Sequence, residues 1–160
     1  MVRRYSLPLC FFSMNTAKRT YKYIEWLSAD EMHAASLLWF SELNFIRDEQ
    51  EFLNNLIQSY TLQLVDKNIF QKSKTIIDRL LKKERELVIL MKQVQAHENQ
   101  LGIMVDKVDQ FKMEKAYIET HKDLTIAINR FTHRYRNLKQ QLFFLISKIM
   151  KNEKRKRLLN

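Results

Sequence analysis

The sequence predicts an all-α fold, an antiparallel bundle of about three long, heptad-patterned helices, and self-association is compatible with it. Two observations lead there. The 160 residues include one Gly (Gly102) and one Pro (Pro8), where average usage supplies roughly eleven and eight. Sheets need many tight turns, so this scarcity leaves long helices joined by few loops. Apolar residues also recur in alternating steps of four and three, the spacing that holds one helix stripe against a partner. With 46% apolar and 29% charged residues, the chain lies outside the disordered class and can bury a core without disulfide or metal staples.

Residues 1–27 are expected to form a flexible or weakly helical N-terminal extension. Arg3, Arg4 and the stretch from Tyr5 to Ser13 superficially match a secretory leader, but Pro8 breaks the apolar run and no small-x-small cleavage site follows. Met14 is a candidate natural start. No run approaches the ~20 apolar residues of a membrane span. The lone Cys10 cannot form an internal disulfide, and a reducing, cytoplasmic setting is expected.

The bundle is expected over residues 28–150. Ser28-Ala-Asp-Glu31 has capping-box spacing, so a helix starts there. Its stripe runs Trp39, Leu43, Ile46, Gln50, Leu53, Ile57, Tyr60, Leu64, with Phe45, Phe52 and Leu56 widening the face toward a second neighbour. Trp26, Trp39 and Phe40 are expected in the core rather than around a ligand. Asp66-Lys-Asn68 is the best first turn. The second stripe is Ile76, Leu80, Lys83, Leu87, Leu90, Val94, His97, Leu101. The third is Tyr117, His121, Leu124, Ile128, Phe131, Tyr135, Leu138, Leu142, Leu145, Ile149.

Met104, Val108, Phe111 and Ile118 continue the second stripe before the phase slips, which leaves two places for the second turn. A reversal near Asn99 to Gly102, with the glycine left-handed, is preferred. The rival is a helix continuing to about Glu119, with Thr120 capping the next.

The net charge of +10 is uneven: +4 over residues 1–27, −5 over 28–65, +3 over 66–101 and +8 over 102–160. Complementary neighbours would place Asp48, Glu49 and Glu51 opposite some of Arg130, Arg134, Arg136 and Lys139. From Lys148 onward the chain carries Lys151, Lys154, Arg155, Lys156 and Arg157 against Glu153. Residues 151–160 therefore read as a basic tail, an exposed extension of the third helix. Together with Arg130, Arg134 and Arg136 it forms a candidate site for phosphates of nucleic acid or lipid headgroups. No C2H2 spacing, RNP-like motif or aromatic interleaved with the basic run indicates a sequence-specific reader. Leu158 and Leu159 leave a peripheral membrane contact as a lesser alternative.

No nucleophile elbow, P-loop, dinucleotide fingerprint, H-E-x-x-H or cysteine pair occurs, and one glycine cannot build a phosphate cradle; the expectation is a non-enzyme without cofactor. His97 and His121 on their stripes, with Glu49, Glu98 and Glu119, are weak metal candidates. No Glu-x-x-His is present, and Glu119-Thr-His121 has the wrong spacing for one helix face. The functional order is an interaction or scaffold protein with a protein partner or itself, then non-sequence-specific polyanion binding, then a metal-binding bundle.

Overall fold

The computed structural model describes residues 28–104 and 110–159. Helix accounts for 94% of the described residues and none lies in a strand, so the chain is all-α as expected. Four helices pack against one another: α1 (Ala29–Ser59), α2 (Thr61–Leu64), α3 (Phe70–Met104) and α4 (Gln110–Leu159). The expected extension over 1–27, including Met14 and Trp26, lies outside the described residues, as do Val108 and the side chains of Leu101, Met104 and Phe111.

Local chemistry sets where α1 begins. The Ser28 hydroxyl accepts from the Glu31 amide at 3.2 Å, and the Glu31 carboxylate accepts from the Ser28 amide at 2.9 Å. Two orphan donors are thereby satisfied, with Asp30 and Glu31 at the positive dipole end. Leu43, Ile46, Gln50, Leu53 and Leu64 of the expected stripe are buried, and Trp39, Phe40, Ile57 and Tyr60 pack against the same core.

The stripe is legible, but its helix is not continuous. The hydroxyls of Ser59 and Thr61 donate to the carbonyls of Asn55, Ile57 and Gln58, competing with the backbone ladder. Tyr60 leaves helical geometry at φ −111°, ψ 17°, and α2 is a separate single turn. Phe45 and Phe52 also depart from expectation: they are 62% and 55% exposed, and only Leu56 packs against the core.

The first break between long helices falls at the expected Asp66-Lys-Asn68. The Asp66 carboxylate accepts from the Asn68 amide at 2.9 Å, and its carbonyl accepts from the amides of Ile69 and Phe70 at 3.0 and 2.9 Å. The buried Ser73 hydroxyl donates to the Leu64 carbonyl at 2.6 Å, tying the first turn of α3 to the end of α2.

The second helix boundary differs from both expectations. Helix α3 continues through Gly102 to Met104, and α4 starts at Gln110. No described glycine has a positive φ, so Gly102 does not end the helix in a left-handed turn. A glycine inside a helix costs only about 1 kcal/mol against alanine, too little to stop the ladder by itself. Thr120 is no cap: it lies within α4 and its hydroxyl donates to the Ala116 carbonyl at 2.9 Å.

In α3, Ile76, Leu80, Leu87, Leu90, Val94 and His97 are buried, and in α4 every member of the expected stripe from Tyr117 to Ile149 is buried, with Ile146 added. Lys83 keeps a half-buried stripe position because its ammonium bonds Glu86 and lies 5.3 Å from the Phe131 ring centroid. The contacts fix register. His33 and Trp39, early in α1, meet Glu98 and His97, late in α3. Lys72, Lys83 and His97 of α3 meet Phe144, Phe131 and His121 of α4. Helix α4 carries its basic run to Leu159, and residues 151–158 are exposed apart from the half-buried Glu153.

Candidate functional site

Three features of the packed helices bear chemistry, the first being a buried polar layer. His97 Nε2 and His121 Nδ1 stand 3.0 Å apart across α3 and α4, each side chain 1% exposed. The His97 ring stacks on Tyr117 at 4.1 Å, and Trp39 of α1 closes the layer 4.5 Å from the His121 ring. Helical spacing explains the convergence, since Tyr117 and His121 are one turn apart on the stripe of α4.

Only one hydrogen can lie between two facing ring nitrogens, so the neutral pair is bonded and the doubly charged pair would repel. Burial lowers His97 to a pKa of about 4 and raises Tyr117 to about 12, with Glu98 adding to the rise and the nearby Ser36 hydroxyl opposing it. His97 Nδ1 and the Tyr117 hydroxyl are buried without a hydrogen-bond partner.

The structure thus joins His97 and His121 but does not bring the carboxylates to them. Glu49 lies ten residues beyond Trp39 on α1, about 15 Å along the helix, and binds Lys139. Glu98 is 3.8 Å from His33, and Glu119 is exposed. Among the described residues no group of three or more His, Cys, Asp or Glu is placed to hold a metal ion.

The second feature is the Glu49–Lys139 ion pair. The Lys139 ammonium donates to both carboxylate oxygens of Glu49, at 2.7 and 2.9 Å, and lies 5.8 Å from the Tyr135 ring centroid. Burial, followed by the Glu49 charge, pushes the Tyr135 hydroxyl well above its ordinary range. This pair realises one of the expected α1-to-α4 charge contacts. Asp48 instead approaches its neighbour Arg47 at 3.5 Å. Arg130, Arg134 and Arg136 are exposed and enter no ion pair among the described residues.

The third feature is cationic. Arg79 and Lys82 of α3 join Arg134 of α4 around a cleft of about 470 Å³, whose lining also holds the paired Lys83 and Glu86 together with Asn137, Leu138 and Gln141. Arg134 and Arg136 flank the buried Tyr135, so Arg136 points to the opposite side, toward α1. A separate cleft holds Lys151, Lys154 and Arg157 with Glu153 and Met150, beside Tyr60 and Gln63. Arg155 and Lys156 continue the exposed run between them.

Sequence reasoning named Arg134 and the tail but missed Arg79 and Lys82. The available signal was the seven-residue spacing of Lys72 and Arg79, which places both beside one edge of the α3 stripe. It also missed Phe144, an aromatic outside the linear basic run that the fold sets beside Lys72, 5.7 Å from ammonium to ring centroid.

Among the described residues no helix is long and apolar enough to cross a membrane. Comparison with protein families, curated proteins and solved structures finds no match to this chain.

Proposed function

We propose that the chain is a non-enzymatic cytoplasmic interaction protein, an antiparallel bundle of three long helices that pairs with a second copy through the face shared by α1 and α4. The supporting observation is the set of exposed apolar side chains around the Glu49–Lys139 ion pair. Phe45 and Phe52 stand four and three residues from Glu49, and Arg136 and Phe143 stand three and four from Lys139, so helical spacing puts all four on one face. Phe45, Phe52 and Phe143 are 62%, 55% and 38% exposed, and Leu38, seven residues before Phe45, is 58% exposed.

Charge selects the partner. Helix α1 carries a net −5 and α4 a net +9. A two-fold axis through this face sets α1 of one copy against α4 of the other, matching acid to base and covering the phenylalanines without juxtaposing two acidic helices. Sedimentation equilibrium over a range of concentrations tests the reading: a dimer is expected, and F45D/F52D is expected to be a helical monomer. A parent chain that stays monomeric, or a double variant that dimerises unchanged, overturns it.

The cation-lined cleft of α3 and α4 favours a second reading, binding of a polyanion without sequence preference. Retention on immobilised heparin should then fall steeply as salt rises. Loss of retention on deleting residues 151–160 would place the binding on the tail; loss in R79E/R134E would place it on the cleft.

A further inference from the structure

We propose that the α3–α4 face binds single-stranded nucleic acid, with its cations on the backbone and Phe144 as a stacking platform for a base; this rests on the polyanion reading and deepens it. Phe144 is 67% exposed, an unusual place for a phenylalanine whose helix already has a complete buried stripe. It belongs to the same edge of α4 as the cleft, because Gln141 and Asn137 precede it by three and seven residues and both line the cleft. Lys148 follows it by four residues. From the facing helix, Lys72 reaches the ring, and Arg79 lies seven residues beyond Lys72 on the same edge of α3.

The result is a strip of exposed cations, Lys72, Arg79, Lys82, Arg134 and Lys148, interrupted by one exposed aromatic face; the one carboxylate in the cleft lining, Glu86, is already taken up by Lys83. From Arg134 to Lys148 it extends about 21 Å along α4. Cations alone serve any polyanion. An aromatic ring set among them serves a strand whose bases are unpaired, because every base has a face to stack and a duplex has already stacked its own. A phospholipid headgroup offers charge but nothing planar to lay on the ring. The Lys72 ammonium over Phe144 is suited to the same ligand: it holds the ring in place and lies beside the position of the adjoining phosphate.

The experiment uses the full chain and fluorescein-labelled oligonucleotides, a mixed-sequence single strand and a duplex of equal length, read by fluorescence anisotropy at several salt concentrations. Tighter binding of the single strand is expected, with affinity falling as salt rises. F144A should weaken the single strand by roughly 5- to 150-fold, the loss of one stacked base, and leave duplex and heparin binding unchanged. F144W should restore it. R79E/R134E should weaken all three ligands. Circular dichroism of each variant should match the parent, since the substituted side chains are exposed. Equal affinity for strand and duplex, or an F144A variant that binds the strand normally, overturns the stacking role while leaving the polyanion reading intact. Absence of binding to strand, duplex and heparin at low salt overturns both, and retention confined to phosphatidylserine vesicles overturns the nucleic-acid proposal.

Discussion

Acidification should destabilise this protein through His97. Its ring is 1% exposed, stacked on Tyr117 and bonded to His121, and burial holds its pKa at about 4 instead of 6.5. Between these values the unfolded chain binds a proton that the folded chain refuses, so stability is complete above about pH 6.5 and declines as pH falls toward 4. A gap of about 2.5 pH units at about 1.4 kcal/mol per unit corresponds to a loss of about 3 kcal/mol, a large part of a typical folding free energy of roughly 5–15 kcal/mol. Urea unfolding followed by circular dichroism at pH 7.5, 6.0, 5.0 and 4.5 measures the slope.

His97→Gln keeps a donor for His121, and His97→Leu keeps apolar volume; neither titrates. Both should flatten the slope between pH 6.5 and 4, whatever they do to stability at pH 7.5. The exposed His33 and His133 and the carboxylates remain in all three proteins, so the difference reports on the buried His97–His121 pair. Identical slopes in parent and variants would refute the assignment of a buried neutral histidine.

Two further outcomes test the packing. Leu142→Ala, at a side chain with no exposure in the centre of α4, should destabilise by about 2–5 kcal/mol in urea unfolding, whereas Leu62→Ala, 83% exposed on α2, should change little. Ser28→Ala removes the hydroxyl that caps α1 and should lower stability by about 1 kcal/mol, with amide exchange accelerated in the first turn only.

The helical content and the buried stripes were legible because they arise from short-range rules. Four-and-three spacing orients side chains within one helix whatever its neighbours do, so the positions from Tyr117 to Ile149 could be read without a partner. The Ser28 cap and the Asp66 turn were legible for the same reason, as their hydrogen bonds span four residues or fewer. The break at Tyr60 was not, because its cause is competition between hydroxyls and an otherwise adequate helical stripe. The end of α3 was misplaced since a lone glycine permits a helix end without requiring one.

The candidate sites were harder still. Charge segregation between an acidic first helix and a basic last one was plain in the residues, but it could not say which acid meets which base. Lys139 finds Glu49, while Arg134 turns away to join Arg79 and Lys82, which lie far from it in the chain. By itself the sequence determined that these residues form helices and which edge of each helix is buried, because backbone hydrogen bonding and side-chain periodicity act over one or two turns. Only the tertiary structure decided that two histidines 24 residues apart face each other at hydrogen-bond distance, that Phe45 and Phe52 are left uncovered, and that Phe144 stands among cations. Those outcomes depend on how helices are rotated and slid against one another, which is set by the summed packing of the whole core and by no local pattern.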